Sequence, residues 1–178
     1  AVFAENGAQG FAPLAGGDTG LGGGDRRLHD VAAIAGSGFE IGQRFTHHWG
    51  RTVTAADNTL FSTLTLHYNP HYFNAAFAAA HGHPDTPVNP LLVFNTVFGL
   101  TVEDLSEGGG PFLGVEELSY LATVYPGDTL YAASEVVAKR LAGNRPGYGI
   151  VTWHTRGTNQ RDEEVIAYKR TNLVRIGG

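Results

Sequence analysis

Two histidines four residues apart frame the stretch His67-Tyr68-Asn69-Pro70-His71-Tyr72. Imidazole changes charge between about pH 5 and 8, so either ring is suited to take a proton from water or return one. Asn69 offers an amide that can orient a water, and Tyr72 a phenol that can donate or accept a hydrogen bond. His67, Asn69, His71 and Tyr72 are therefore the candidate catalytic set. Asn89-Pro90 is a second chemical signal. An Asn cap followed by Pro at the first helical position opens a helix, and N–H groups at a helix start favour negative charge. Pro90 has no N–H, so Leu91 or Leu92 would have to supply the donor. Tyr68, Asn89, Leu91 and Leu92 are the candidate substrate contacts.

The other histidines carry weaker signals. His47-His48, beside Trp49, read as partly exposed strand positions, and His154 alternates with Trp153 in a strand. His81, His83 and Asp85 have no specific ligand spacing and read as a surface turn, so no metal is expected. Asp104 and Glu107 fall near the end of the Asn89 helix, where carboxylates are commonly solvated. Glu116-Glu117 straddles a strand, one side chain per face.

The elements that must position these residues follow from periodicity and punctuation. Arg44–Val53 reads as a first strand. Thr54, with Asp57 three residues on, reads as a helix cap close to a capping box. Leu60, Phe61 and Leu64 give that helix an apolar face, and Asn69-Pro70 ends it. Asn74–Ala80 is a short second helix. The helix from Asn89-Pro90 carries Leu91, Leu92, Val93, Phe94, Val97, Phe98 and Leu100, which predicts burial on all sides. Phe112–Tyr125, Thr129–Leu141, Tyr148–Asn159 and Glu164–Ile176 read as strands separated by turns. In the last, Val165, Ala167, Thr171 and Leu173 share one face, and Tyr168, Arg170 and Asn172 the other. A central helix followed by an antiparallel meander is an α+β arrangement.

Composition narrows the function. The 178 residues carry a net charge of −5, with 12 Lys and Arg against 17 Asp and Glu. No basic run appears, so no nucleic-acid partner is expected. There is no cysteine, which rules out disulfides and a Cys nucleophile. No apolar run reaches the roughly 18 residues of a membrane span, and no secretory signal pattern opens the chain. The expectation is a soluble, cytoplasmic protein without a membrane partner. Residues 1–38 hold ten of the 25 glycines and read as a flexible leader. Residues 39–178 read as a single domain.

Several segments resemble MaoC-like dehydratases. These are Thr52 to Asn58, Phe61-Ser62-Thr63-Leu64-Thr65, Leu113 to Leu118, Val124 to Leu130, and Arg145-Pro146-Gly147 onward to Gln160. The resemblance spans about residues 39–176 and is strongest to mesaconyl-CoA hydratases (β-methylmalyl-CoA dehydratases). It implies a hotdog fold, in which a sheet wraps a long helix. It further implies reversible addition of water to a 2-enoyl thioester held on CoA or an acyl-carrier protein, with no metal or redox cofactor. The family motif Asp-x-Asn-Pro-x-His falls on His67 to Tyr72. Asn69 and Pro70 match, but His67 stands at the Asp position and Tyr72 at the His position. His71 is displaced by one residue.

Three functions stay open at this point. The first is an enoyl-thioester hydratase working with an altered set of residues. The second is a non-catalytic, acyl-binding subunit of a heterodimeric dehydratase. The third is a hotdog thioesterase, disfavoured because the central helix is apolar until Glu103. Open sheet edges need covering, so a homodimer is expected, with a heterodimer as the alternative.

Overall fold

The computed structural model describes residues 38–107 and 110–176. The leader expected over residues 1–38 therefore lies outside the described residues, apart from Gly38. Strands β1 (Arg44–Thr46), β2 (Arg51–Thr52), β3 (Phe112–Tyr120), β4 (Thr129–Leu141), β5 (Tyr148–Thr158) and β6 (Glu164–Arg175) form an antiparallel sheet. Its order is β1-β4-β5-β6-β3, with β2 also paired to β4. Helices α1 (Ala55–Leu64), α2 (Ala75–Ala80), α3 (Pro90–Leu100) and α4 (Val102–Leu105) precede β3. β4, β5 and β6 form a meander, and the link from β3 to β4 crosses the sheet.

The core lies between α3 and one face of the sheet. Val93 and Val97 pack with Leu130, Ala132, Val165, Ile166 and Tyr168. Gly157 permits this closeness: a Cβ there would stand 2.7 Å from a Val97 methyl and 2.6 Å from an Ile166 methyl. A second cluster gathers Leu105, Val136, Val151, Trp153 and Val174 towards the other end.

Several expectations change. The first strand is broken: β1 ends at Thr46 and β2 opens at Arg51, with the His47 N–H still bonded to the Ala132 carbonyl of β4. His47 turns inward there and is only 3% exposed, not a partly exposed strand residue. The α1 helix buries polar Asn58 and Ser62, while Leu60 and Leu64 are exposed. The α3 helix is covered on one side only: Val93, Thr96 and Val97 are buried, but Leu91, Asn95 and Gly99 form an exposed row. Those three are spaced four apart, so they share a face, and nothing in the described chain covers it.

The expected caps hold, while two element ends move. Thr54 and Asp57 form a full capping box, and Asn74 and Asn89 cap α2 and α3. Asn69-Pro70 opens a 3-10 turn (Pro70–Tyr72) rather than ending α1, which stops at Leu64. β3 stops at Tyr120, five residues short of the expected end. It bulges at Glu117, whose φ is 53°, so Glu116 and Glu117 are both exposed.

Candidate active site

The exit from α1 brings the first histidine into place. Leu66 adopts φ 57°, and the His67 and Leu66 N–H groups bond back to the Ser62 and Thr63 carbonyls at 3.0 and 3.3 Å. This is a Schellman turn with leucine where glycine is usual, a strain of roughly 1–2 kcal/mol. It folds His67 under α1, where Nδ1 lies 2.9 Å from Asn89 Nδ2 and 3.2 Å from Oδ1. Asn89 Oδ1 already accepts the Leu91 N–H, and Nδ2 donates to Ser62 Oγ. Nδ2 is the nearer atom and has a second N–H to give, so it donates to His67 Nδ1, and neutral His67 carries its proton on Nε2.

His71 has the opposite tautomer. Asn69 Oδ1 accepts the His71 main-chain N–H at 3.1 Å and meets His71 Nδ1 at 2.9 Å. An oxygen only accepts, so Nδ1 must be the donor and Nε2 keeps the lone pair. Among the described residues no hydrogen bond engages that Nε2. The ring stands edge-on to Phe77, His81 and His83, with centroids 4.9, 5.1 and 5.6 Å away.

His71 lines a cavity of about 620 Å³, within the usual range of ligand pockets. Asn69, Tyr72, His83, Tyr120 and Thr123 give its polar wall, and Pro87, Val88, Pro90, Val93, Ala122 and Val124 its apolar one. Burial pushes the Tyr72 and Tyr120 phenols above their ordinary value, so both stay protonated and able to donate. His83 Nδ1 lies 3.0 Å from the Tyr125 hydroxyl.

The walls are held together by a buried amide. Asn58 Nδ2 donates to the Tyr72 and Pro87 carbonyls, both at 2.9 Å, and its Oδ1 accepts the Asn89 N–H at 2.8 Å. One side chain thus ties α1, the 3-10 turn and the entry to α3. Asn58 and Ser62, four apart on α1, were not among the candidates. Two polar residues sharing one helix face was the signal that would have found them. His83 and Tyr120 were also missed, since neither belongs to the motif.

Of the expected set, Asn69, His71 and Tyr72 meet at the cavity. His67 and Asn89 sit behind it, joined to one another. Tyr68 does not line it; it is 61% exposed and edge-on to Phe73. Leu91 and Leu92 do not line it either, and their N–H groups are not free in this conformation. Leu91 N–H is spent on Asn89 Oδ1, and Leu92 N–H on the Asn89 carbonyl at 2.9 Å. Among the described residues no group of three or more His, Asp or Glu is arranged to hold a metal.

The sequence model of mesaconyl-CoA hydratase matches residues 33–176. The chain belongs to the mesaconyl-CoA hydratase family. The mesaconyl-CoA hydratase of Haloarcula hispanica is 36% identical over 137 residues, which is 76% of this chain and 38% of that protein. The β-methylmalyl-CoA dehydratase of Chloroflexus aurantiacus is 38% identical over 138 residues, 77% of this chain and 39% of that one. The chain thus spans about two fifths of the length of these curated family members. Among solved structures, a MaoC domain dehydratase from Chloroflexus aurantiacus superposes with a TM-score of 0.73 at 37% identity, over 77% of this chain and 39% of that one. The (R)-hydratase of A. caviae superposes at 0.62 with 27% identity, over 78% and 98% of the two chains. The fold is the hotdog, as the resemblance implied.

Proposed function

We propose that this chain adds water reversibly to the double bond of a 2-enoyl thioester, carried on CoA or an acyl-carrier protein, without metal or redox cofactor. The observation that carries this reading is His71, whose unoccupied Nε2 lone pair belongs to a ring on the wall of a half-apolar cavity. Relatives named for mesaconyl-CoA hydration and β-methylmalyl-CoA dehydration supply the reaction class. His71 Nε2 takes a proton from water as its oxygen bonds to the β-carbon. The displaced electron pair moves onto the thioester oxygen. The imidazolium then returns the proton to the α-carbon. Asn69 fixes the tautomer that makes this possible. His67, its Nδ1 occupied, acts through Asn89 as a positioning residue.

A thioesterase would want a carboxylate on α3; Glu103 and Asp104 lie beyond it, on α4, and neither lines the cavity. The non-catalytic subunit remains the second reading, favoured by one observation: no carboxylate lines the cavity beside His71. We also propose a single hotdog domain after a leader, in the cytoplasm, that works as a homodimer. The exposed row on α3 supports the pairing. So does the open edge strand β3, which shows Phe112, Leu113, Leu118 and Tyr120 to solvent.

The test is hydration of crotonyl-CoA and mesaconyl-CoA by the purified chain, followed as loss of enoyl absorbance. Turnover supports the hydratase. A folded dimer inert on these and on longer enoyl thioesters moves the assignment to the subunit reading.

A further inference from the structure

Hydration drives negative charge onto the thioester oxygen, and donors aimed at that oxygen commonly make the largest single contribution to the rate. The start of α3 has none to spare. Pro90 lacks an N–H, Leu91 N–H bonds Asn89 Oδ1, and the Leu92 and Val93 N–H groups both bond the Asn89 carbonyl, at 2.9 and 3.1 Å. Two hydroxyls on the cavity wall are unspent. Tyr72, on the 3-10 turn, and Tyr120, at the end of β3, both line the cavity. Among the described residues neither hydroxyl has a hydrogen-bond partner.

Resting on the hydratase reading, we infer that Tyr72 and Tyr120 together form the oxyanion hole, their two phenol O–H groups donating to the thioester oxygen. Both phenols are positioned for the work. The Tyr72 carbonyl is held by Asn58, and its ring stands edge-on to His67 at 5.3 Å. Tyr72 and Tyr120 line the same cavity from two different elements, and burial first, then Tyr72, raises the Tyr120 phenol, so it too stays a donor. A protonated phenol in a partly desolvated cavity is a strong neutral donor, as ketosteroid isomerase illustrates. The balance is complete without further groups. The water proton goes to His71 and then to the α-carbon, and each tyrosine keeps its own proton throughout. Tyr72 occupies the position where the family motif has histidine; on this assignment it holds charge and His71 moves the proton.

The test is Tyr72→Phe and Tyr120→Phe, with Tyr131→Phe, outside the cavity, as control. Because neither hydroxyl bonds the protein, its removal breaks no internal hydrogen bond. Crotonyl-CoA hydration is measured alongside the carbonyl stretch of bound, carbon-13-labelled butyryl-CoA. The expected result is a kcat loss of about 100-fold in each variant, with KM within about threefold. The carbonyl band, lowered in the parent, should move back up in both. A kcat within about threefold of the parent, or a loss in one variant alone, overturns the pair. An unmoved band overturns it whatever the activity. A parent that turns over no enoyl thioester, yet whose band moves on both substitutions, keeps the donors and overturns the hydratase reading instead.

Discussion

His71 and His47 show how differently one residue type is used at the two ends of the molecule. His47 is closed on both sides: Nδ1 lies 2.5 Å from Asp104 Oδ2, and Nε2 lies 3.0 Å from Ser134 Oγ, itself 2.9 Å from Thr155 Oγ1. The connectivity is that of an Asp–His–Ser triad. Ser134 is nevertheless only 4% exposed and its hydroxyl is committed to His47 and Thr155, so it is held as part of the network. Beside it Arg170 is equally closed. It donates to Asn172, Thr101 and Ser106 at 2.6–2.8 Å and lies 4.1 Å above the Phe98 ring. At the cavity the pattern reverses: among the described residues His71 has one nitrogen fixed and one free, and two phenols have no partner. A polar network satisfied at every atom holds a fold. One satisfied on the protein side and open on the cavity side is ready for chemistry.

The largest break in this comparison is His71→Ala. Loss of a general base costs about 10²–10⁴ in kcat, or roughly 3–5 kcal/mol of barrier, while the melting curve stays near that of the parent. Equal kcat in the variant would remove His71 from the mechanism. His47→Ala should do the reverse. It leaves a void, takes from Ser134 one of its two partners and from Asp104 its buried one, costing about 2–4 kcal/mol of stability by denaturant titration. The folded variant should keep kcat within about twofold. A variant as stable as the parent but slow would place His47 in the site.

Next in size is His67→Ala. It removes the acceptor for Asn89 Nδ2, a loss of about 1 kcal/mol, and should lower kcat by less than about tenfold. A loss as deep as that of His71→Ala would mean that His67 handles the proton and keeps its lone pair on Nε2.

What could be read from the sequence was what is local. β4 runs from Thr129 to Leu141, the bounds its flanking turns set, and Asn89-Pro90 opens α3 where the cap said it must. The loop from His67 to Tyr72 was found by residue type, and three of its members do meet at the cavity. What escaped depends on partners far along the chain. His47 is buried by a serine 87 residues away, and Asn58 is satisfied by carbonyls 14 and 29 residues on. The burial of α3 was overread because Asn95 and Gly99 break the apolar pattern on the face they share with Leu91, and that face is exposed.

The smallest effect comes from a third histidine, which separates closed networks from merely crowded ones. His154 lies on β5 between inward-facing Trp153 and Thr155, half-buried on the opposite face. Its pKa is lowered from 6.5, by burial first and then by Arg156, with Glu164 opposing, Lys169 lowering it further and Glu117 opposing. A histidine depressed in the folded state binds its proton sooner in the unfolded chain. The stability it leaves intact above pH 6.5 is therefore lost as pH falls below that value towards the folded pKa. Asp128 adds a separate loss further down. Burial alone would raise its carboxyl, but the Tyr125 N–H, Gln160 and Arg161 outweigh that and hold it below 3.8. His154→Gln should flatten the stability curve just below pH 6.5 and leave the more acidic limb unchanged. Denaturant midpoints measured across that range would decide it. Parallel curves for parent and variant would mean that His154 is no more crowded folded than unfolded, and that the outer face of β5 puts no strain on its charge.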